Sequence, residues 1–494
     1  MEELSKLIAG LPYERLRGSI HRQIRNIVYH SDRITKDCLF VCIRGAQTDG
    51  HRFAALAAAG QAAAILVEDI CEYPEESQMT MIKVPDTREA LALASHCFFG
   101  YPARRLKMIG ITGTKGKTTT ARMIRDILAA AGIRAGYIGT LGIDCGYGMA
   151  EGTHTTPESY VIAEALAQMV QGGCEAAVIE ASSIGLKMQR LYGMVFHIGV
   201  YLNFGNDHVG TGEHKDAEEY FRSKAKLFRQ CRIGIFNSGD RTCGAMVSLA
   251  GCETISFFGD GQELCASCIQ KECAGARLGV SFVVPELMCE RIYLPLAGRF
   301  NVENALAAIA VCKKLSIEPA AIREGLRNVS IPGRMENASV CPDYPIYIDY
   351  AHNAMALAGV LQTLREYRPR RLICLFGCGG NRSRDRRFEM GETSGRLADL
   401  SIVTSDNPRY EDPEAIIDDI LTGMHRTAGR YVRITDRREA IAYALEVART
   451  GDIVLLAGKG HETYQEICGK KYPMDERTIL EELSGGRLRE RHGY

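Results

Sequence analysis

The chain has 494 residues, too many for one ordinary hydrophobic core, so two or three domains are expected. Lysine plus arginine and aspartate plus glutamate both number 60, which gives no reason to expect a nucleic acid or a membrane surface as a partner. No apolar run is long enough to span a bilayer, and the N-terminal residues lack the apolar centre of a signal peptide.

The 18 cysteines are scattered, mostly inside apolar strand-like runs. This distribution favours reduced thiols in a cytoplasmic protein over a disulfide framework. Cys265 and Cys268 have CxxC spacing, but no second CxxC follows. We therefore favour small apolar thiols in a loop there, with a metal site as the weaker alternative.

Short mixed elements fill the first predicted domain, residues 1–103. Periodicity predicts a strand, a helix and a strand in DCLFVCIRG (37–45), HRFAALAAAG (51–60) and AAAILVED (62–69). The sequence thus predicts a mixed α/β N-terminal domain.

The second predicted domain, residues 104–332, opens with a strand–loop–helix–strand unit. Its parts are LKMIGIT (106–112), GTKGK (113–117), TTTARMIRDILAAAG (118–132) and RAGYIGT (134–140). Such a βαβ unit implies a parallel sheet. Two more buried strands follow in AAVIEASS (176–183) and GVYLNF (199–204), and residues 240–297 are typical of shorter β-rich segments.

The third predicted domain, residues 333–494, alternates strands and helices. Polar stretches come directly after four of its predicted strands: DYAHN, GCGGNRSR, SDNPR and GKGHE. In open α/β sheets, ligands bind outside the carboxyl ends of the strands, so one shared site is predicted. The expected architecture is α/β with three domains: mixed N-terminal, central P-loop ATPase-like with a parallel sheet, and C-terminal Rossmann-like.

The stretch IGITGTKGKTTT (109–120) predicts phosphate binding. The strict pattern GxxxxGK[ST] fails by one residue, because its first glycine would fall on Ile111. The essential parts remain: Gly113 and Gly116 let backbone N–H groups turn inward, Lys117 can reach the β and γ phosphates, and Thr118 can ligate Mg²⁺. A glycine turn without a ligand would not require Lys-Thr-Thr at the helix start, so the binding of phosphate with Mg²⁺ is predicted.

The loop GTKGKTT resembles that of the Mur ligase family, ATP-dependent enzymes that join a carboxylate to an amine. The resemblance covers nearly the whole chain in SDR, DGHRF, TTPES, EASSIGL, NDH, YFRSKAKLF, GRFNVEN, IPGRME, DYAH, FGCGGNR, SDNPR and AGKGHE. It is closest to members that add a diamino acid to UDP-N-acetylmuramoyl-L-Ala-D-Glu through an acyl phosphate. The resemblance therefore implies a cytoplasmic, monomeric ligase of peptidoglycan precursor synthesis with small-molecule substrates.

The resemblance also implies the residues that handle ATP and metal. Lys117, Glu180, His208 and Lys224 are the implied catalytic residues, with Thr118, Glu180 and His208 as Mg²⁺ ligands and Lys224 carbamylated to N6-carboxylysine. The implied ATP-binding residues are Gly113, Thr114, Lys115, Gly116, Lys117, Thr118, Thr119, Asn301, Asn304, Arg334, Asp349 and His352.

Without the resemblance, those residues have plainer readings. Glu180 could be a helix cap or a solvated carboxylate, and His208 a hydrogen-bonded turn residue. Lys224 is typical of a helix-surface lysine, and carbamylation would require a neutral amine.

Two further groups are implied for the substrates. Contacts to the UDP-muramoyl peptide are implied for Ser31, Asp32, Arg33, Asp49, Gly50, His51, Thr155, Thr156, Ser182 and Arg190. Contacts to the incoming amino acid are implied for Arg382, Asp406, Asn407, Pro408, Arg409, Gly458 and Glu462.

Arg409 is the residue that separates two amino-acid substrates. Diaminopimelate has a distal carboxylate that lysine lacks, and arginine binds carboxylates in bidentate fashion. Arg409 therefore favours meso-diaminopimelate, unless it pairs with the neighbouring Glu411 or Asp412.

The sequence departs from the family pattern mainly near the acceptor peptide. Lys115 stands where asparagine is usual, Ile184 where histidine is common and Met188 where glutamine is expected. In addition, Asn353-Ala354 replaces Thr-Pro, and GGNRSRDRR replaces GGDRDKGKR. We expect an active ligase, and the changed positions bear on the identity of the acceptor peptide.

Four alternatives stay open. The same ligase could use L-lysine or another diamino acid. A folate polyglutamylating ligase would not need the N-terminal block or DNPR, and a glutaminase-partnered lipid-amidating relative usually has a four-cysteine zinc ribbon and lacks that block. An ATP-driven switch or binding protein without ligation is the alternative from another class.

Overall fold

The structure, a computed structural model, describes residues 1–492 except 46–47, 73, 75–76, 153, 206–209, 211–212, 259–263 and 342. The chain divides into two compact units. The first unit comprises residues 1–265 and 304–322, and the second comprises residues 266–303 and 323–494.

A five-stranded sheet forms the N-terminal part of the first unit. Its strands lie in the order Glu14–Arg17, Thr80–Lys83, Ala64–Val67, Cys38–Val41 and Asn26–Val28. All pairs are parallel except the one made by the edge strand Glu14–Arg17. The strands Cys38–Val41 and Ala64–Val67 are apolar along their whole length, because a parallel sheet is covered on both faces.

Helices and short elements complete this part. The longest helix begins after Asp86, whose side chain accepts hydrogen bonds from the N–H groups of Arg88 and Glu89. The α-helices span Leu4–Leu7, Ala54–Ala59 and Thr87–Phe98, and the 3-10 turns span Ser31–Arg33, Gly50–Phe53 and Pro102–Arg105. The strands Glu2–Glu3 and Gln23–Ile24 form a two-stranded antiparallel pair.

An eight-stranded sheet forms the central part of the first unit. Its strands lie in the order Met149–Ala150, Gly142–Asp144, Ala135–Gly139, Ala176–Glu180, Lys107–Thr112, Phe196–Tyr201, Cys231–Asn237 and Glu253–Phe257. The first two pairs in this order are antiparallel, and every later pair is parallel. The carboxyl ends of the parallel strands therefore share one edge, where the phosphate loop begins.

Helices cover this central sheet. The helix after the phosphate loop buries Met123, Ile124, Ile127 and Leu128, a spacing that puts one apolar face on the sheet. The helices and a 3-10 turn span Lys117–Ala130, Ser159–Gln171, Ser183–Lys187, Ala217–Ala225, Lys226–Arg229 and Cys243–Ser248.

The second unit contains two main sheets and a hairpin. An antiparallel sheet is formed by Ser267–Ala274, Arg277–Val284 and Met288–Leu294. The larger sheet has the order Glu336–Asn337, Ile346–Asp349, Ile453–Ala457, Leu372–Phe376, Leu400–Val403 and Tyr431–Arg433. Only its first pair is antiparallel, so the polar stretches predicted to follow the strands leave from one edge.

The remaining elements of the second unit are helices and a small hairpin. The helix Arg299–Lys314 begins in the second unit and continues in the first. The hairpin pairs Tyr464–Ile467 with Lys470–Pro473. The helix Pro319–Arg327 begins in the first unit and ends in the second. The other helices span Ala354–Arg365, Arg384–Leu397, Pro413–Met424, Arg437–Val447 and Glu476–His492.

The predicted α/β class is confirmed, with parallel strand pairs in the N-terminal, central and C-terminal parts. The domain boundaries after residues 103 and 332 stay predictions. The cysteines whose side chains the structure describes are all free thiols. Among the described residues, no group of three or more His, Cys, Asp or Glu is placed to hold a metal ion, and no helix is long and apolar enough to cross a membrane.

Candidate active site

The phosphate loop lies between the central strand Lys107–Thr112 and the helix that starts at Lys117. Gly116 caps this helix with φ +88°, and a Cβ at this position would lie 2.3 Å from Oδ1 of Asn304. Only glycine fits both constraints. Nζ of Lys117 donates to the carbonyls of Gly113 (2.8 Å) and Thr114 (3.3 Å), so its ammonium lies over the loop.

Lys224 approaches the same loop from another helix. Its Nζ donates to the carbonyl of Gly113 at 2.9 Å, and it lies 4.4 Å from the ring centroid of Tyr220. The residue is 1% exposed, so it is not the surface lysine that the sequence pattern alone suggests. Lys226 is only half-buried, and burial lowers the pKa of its ammonium.

Glu180 ends the strand beside the phosphate loop and is fully buried. One of its oxygens accepts hydrogen bonds from the hydroxyls of Thr118 (3.0 Å) and Thr140 (3.1 Å). The other accepts from the N–H of Thr140 and the hydroxyl of Tyr137. Burial first and the Glu180 carboxylate second raise the pKa of the Tyr137 phenol, which therefore stays a donor. Glu180 is neither a helix cap nor a solvated carboxylate, and His208 lies outside the described residues.

Three residues predicted to contact the acceptor peptide lie beside Glu180. The hydroxyl of Thr156 donates to the Glu180 carbonyl at 2.6 Å and accepts from the N–H of Ser182 at 3.0 Å. Thr155 and Thr140 share a hydroxyl–hydroxyl hydrogen bond of 3.0 Å. The side chain of Glu180 thus reaches the phosphate loop while its backbone joins the predicted acceptor residues.

Arg190 is part of a charged cluster rather than a free surface arginine. Its Nε and Nη2 lie 2.8 and 2.7 Å from Oε1 of Glu158, and its Nη1 donates to the carbonyl of Thr156 at 2.8 Å. Arg88 also reaches Glu158, at 3.4 Å. Burial, with Glu158 second, raises the pKa of the Tyr29 phenol against the opposing charges of Arg33 and Arg190. The cluster therefore lies near the predicted uridine-diphosphate residues.

The predicted uridine-diphosphate residues form two turns. Ser31, Asp32 and Arg33 make one partly exposed 3-10 turn. Asp49 accepts from the N–H of His51 at 3.0 Å and lies 2.6 Å from its Nδ1.

The next strand fixes the imidazole of this second turn. Nε2 of His51 accepts from the N–H of Glu68 at 2.9 Å, which indicates the tautomer with its proton on Nδ1. A Cβ on Gly50 would lie 2.8 Å from the N atom of Ile43. These contacts shape the turn, and its binding of the nucleotide sugar stays a prediction.

Two of the predicted nucleotide residues of the second unit, Arg334 and His352, contact the ring of Tyr350. The guanidinium of Arg334 lies 5.0 Å from the Tyr350 ring centroid, and His352 packs on the same ring at 4.8 Å. Asp349 is buried and accepts from the N–H of Met335 at 2.8 Å. The amide of Asn301 donates to the carbonyl of Ala297 at 2.8 Å.

The residues predicted for the incoming amino acid converge at the edge of the second-unit sheet. The amide of Asn407 donates to Oε2 of Glu462 at 2.9 Å, and the buried Lys459 donates to both residues at 2.8 Å. Gly458 has φ +110°, and a Cβ there would lie 2.6 Å from Oδ2 of Asp406. Burial alone would raise the pKa of Glu462, but the Lys459 charge and the two hydrogen bonds outweigh burial and lower it.

Arg409 makes a different pair from the one that its sequence neighbours suggested. Its Nε donates to Oε2 of Glu466 at 3.1 Å, and its Nη1 donates to the carbonyl of Gly380 at 2.7 Å. Glu411 instead accepts from Arg387, and Asp412 caps the helix Pro413–Met424.

The backbone around Arg409 brings the side chain of a second arginine nearby. A Cβ on Gly379 would lie 3.4 Å from Nη1 of Arg409 and 4.0 Å from Cγ of Arg382. A Cβ on Gly380 would lie 1.9 Å from the carbonyl oxygen of Pro408, so the loop requires glycine there. The exposed Arg382 and the half-buried Arg409 are therefore neighbours.

Sequence reasoning missed several residues of these clusters. Tyr350 and Lys459 lie inside the motifs DYAH and AGKGHE, so attention to every polar or aromatic member would have found them. Arg88, Tyr137 and Glu466 carry no local signal, because their partners are distant in the sequence.

Three family models match the chain. "Mur ligase family, catalytic domain" matches residues 23–98, "Mur ligase middle domain" residues 111–312, and "Mur ligase, glutamate ligase domain" residues 333–460. Together they cover the N-terminal, central and C-terminal parts in the expected order.

Curated relatives match over their full length. A UDP-N-acetylmuramoyl-L-alanyl-D-glutamate--2,6-diaminopimelate ligase of Syntrophomonas wolfei is 36% identical over 99% of this chain and 100% of its own. The ligase of the same name from Caldanaerobacter subterraneus is 38% identical over 97% and 98%. A solved structure of a ligase with this name superposes with a TM-score of 0.70 at 28% identity, covering 99% of both chains. The chain belongs to the Mur ligase family.

Proposed function

We propose that the protein is an ATP-dependent ligase that adds meso-diaminopimelate to UDP-N-acetylmuramoyl-L-alanyl-D-glutamate. The observation that supports this most is the second-unit cluster in which the guanidinium of Arg409 and the carboxylate of Glu462 are linked through Asn407 and Glu466. Diaminopimelate has two carboxylates and two ammonium groups, so a site for it needs charges of both signs. The full-length relatives named for this reaction support the same proposal.

The first chemical step is phosphoryl transfer to the acceptor. An acceptor carboxylate attacks the γ-phosphorus of ATP, and the bond from this phosphorus to the β,γ-bridging oxygen breaks. ADP departs as the leaving group, and the acceptor becomes an acyl phosphate. Lys117 is positioned at the loop to offset negative charge on the phosphate oxygens. Thr156 and Ser182 hold the acceptor beside Glu180 in this proposal.

The second step forms the amide. An amine of diaminopimelate attacks the acyl carbon, the carbon–oxygen bond to phosphate breaks, and the nitrogen loses a proton as inorganic phosphate leaves. Glu462 and Asn407 offer hydrogen-bond acceptors to an ammonium group, and Arg409 offers donors to the distal carboxylate. These contacts hold the amino acid in one orientation and so favour attack by one of its two amines.

The residues at the phosphate loop fit Mg²⁺. The hydroxyl of Thr118 and the carboxylate of Glu180, 3.0 Å apart, are oxygen ligands of the kind that this ion prefers. When bound there, Mg²⁺ would neutralise developing charge on the phosphate oxygens. Carbamylation of Lys224, which would add a further anionic ligand, remains part of the proposal.

Two neighbouring lysines test the role given to Lys224. Replacing Lys224 with methionine is expected to lower kcat by at least about 100-fold, because the buried amine beside Gly113 is lost. Lys226→Met is the matched control, since Lys226 is only half-buried, and we expect kcat within about threefold of the parent. Similar kcat values for the two variants would contradict the assignment. The measurement is steady-state amide formation.

The substrate is tested directly by product mass. The protein is incubated with ATP, Mg²⁺, the UDP-muramoyl dipeptide and one amino acid at a time: meso-diaminopimelate, L-lysine or L-ornithine. A tripeptide product with meso-diaminopimelate alone is expected. Product only with another amino acid would keep the ligase chemistry and refute the specificity.

The cytoplasmic location and the monomeric state are further parts of the proposal. Free thiols throughout the described cysteines are compatible with a reducing compartment. Sedimentation of the purified protein would test the monomer.

A further inference from the structure

Glu466 lies on the second-unit hairpin, next to the segment that contains Arg409. The hairpin accepts one backbone hydrogen bond from Arg409, to the carbonyl of Glu466 at 3.0 Å. It donates another from the N–H of Cys468 to the carbonyl of Arg409 at 2.6 Å. Arg409 is thus paired with a hairpin that follows it by more than fifty residues in the sequence.

The backbone of Arg409 has φ +53°, in the left-handed region. For a residue other than glycine this conformation is strained, and it persists only where surrounding contacts enforce it. The two hydrogen bonds from the hairpin supply that constraint. The strained residue is also the one that the proposed function assigns to the distal carboxylate.

The guanidinium of Arg409 is fixed at two of its three nitrogens. Nε donates to Oε2 of Glu466 at 3.1 Å, and Nη1 donates to the carbonyl of Gly380 at 2.7 Å. Nη2 has no hydrogen-bond partner among the residues that the structure describes. The side chains of Arg409 and Glu466 are 23% and 28% exposed, so the pair is accessible to a ligand but partly shielded from water.

We propose that Glu466 is a positioning residue that sets the amino-acid specificity of the ligase. By occupying Nε, it leaves the edge formed by Nη1 and Nη2 as the face that a carboxylate can reach. The distal carboxylate of diaminopimelate fits this edge, whereas lysine has no group to place there. This inference rests on the proposed function and adds to it the residue that aims Arg409.

The test is Glu466→Gln in the full-length chain, which keeps the shape of the side chain and removes its charge. Without the ion pair, the guanidinium can rotate away from the orientation that the carboxylate needs. We expect the KM for diaminopimelate to rise about tenfold, with kcat within about twofold. The KM values for ATP and the acceptor should not change, and the preference for diaminopimelate over lysine should fall by the same factor. Glu466→Asp, which keeps the charge, should recover part of the preference.

Glu392→Gln is the matched control. The side chain of Glu392 is 26% exposed, close to the value for Glu466, and it forms ion pairs with Arg396 and Arg426. Glu392 lies on the helix Arg384–Leu397, which has no substrate contact in the proposal. The control should behave like the parent in every kinetic constant.

Three results would overturn the inference, and they differ from one another. A Glu466→Gln variant that matches the control in KM and preference would refute the positioning role while leaving the proposed function intact. An equal rise in the KM values for ATP, the acceptor and diaminopimelate, together with a lower melting temperature, would show that Glu466 has only a structural role. A parent protein that makes no amide with diaminopimelate would refute both the proposed function and this inference.

Discussion

Lys117 and Lys115 stand two residues apart in the phosphate loop but differ in surroundings. Lys117 donates to two loop carbonyls, while Lys115 is exposed and its backbone N–H donates to Oδ1 of Asn203. We expect Lys117→Ala to lower the rate of ligation by about 100-fold or more, because a cation is lost where phosphate charge develops.

Lys115→Ala is the control for that prediction. Lys115 is exposed, so its charge is screened by water and a change of less than about fivefold is expected. Melting temperatures of both variants should stay near that of the parent. Equal losses in the two variants would place the phosphates elsewhere.

His96 makes the stability of the first unit depend on pH. It is 3% exposed, neither ring nitrogen has a hydrogen-bond partner among the described residues, and burial lowers its pKa to about 4. In the unfolded chain the imidazole of His96 has a pKa near 6.5. Between pH 6.5 and pH 4, His96 therefore binds a proton in the unfolded state that it does not bind in the folded state. Stability is therefore retained above pH 6.5 and falls by about 3 kcal/mol as the pH drops to 4.

The measurement is the calorimetric melting temperature of the parent and of His96→Leu across this pH range. The leucine variant cannot take up the proton, so it should lose less stability at pH 4.5 than the parent. Parallel pH curves for the two proteins would exclude His96 as the source.

At the scale of elements, the helix Arg384–Leu397 anchors the loop that precedes it. Arg387 is 2% exposed and donates to both oxygens of Glu411 at 2.8 Å and to Asp419 at 2.9 Å. Glu411 in turn accepts from the N–H of Asn381, next to Arg382. The stretch GGNRSRDRR thus ends with an arginine, which the family pattern GGDRDKGKR shares, and this arginine holds the loop around Arg382 in place.

Arg387→Met is expected to reduce the free energy of unfolding by about 3 kcal/mol, because it leaves carboxylates without a buried partner. It should also raise the KM for the amino acid, since Glu411 loses its anchor. The control is Arg396→Met on the same helix. The side chain of Arg396 is 65% exposed, so its ion pair with Glu392 contributes less than about 1 kcal/mol to stability. Urea unfolding measures the free energy of unfolding of both variants. Equal losses in the two variants would show that the buried network is no more stabilising than the exposed ion pair.

Elements whose signal is local were predictable from the sequence. The strand before the phosphate loop, the helix after it and the four polar stretches of the second sheet follow from periodicity and glycine placement. The burial of Lys224 was not predictable in this way, because its contact with Gly113 joins residues 111 positions apart. The pairing of Arg409 with Glu466 likewise depends on the hairpin, which the neighbouring Glu411 and Asp412 do not reveal.

At the scale of the whole molecule, the predicted site residues belong to both compact units. The phosphate loop, Glu180 and Lys224 lie in the first unit, and Arg334 and the amino-acid cluster lie in the second. Motif order along the chain, together with the resemblance, predicted both groups. Roles at single positions, such as His208 outside the described residues, remain predictions that only variants can test.

The proposed function couples ATP consumption at the phosphate loop to amide formation. The most direct measurement follows inorganic phosphate and amide product together, with the acceptor or diaminopimelate omitted in turn. We expect one phosphate per amide, and a fall of at least about tenfold in phosphate release when either substrate is missing. Steady phosphate release that does not depend on the amino acid would contradict ligation and indicate an ATP-driven switch instead.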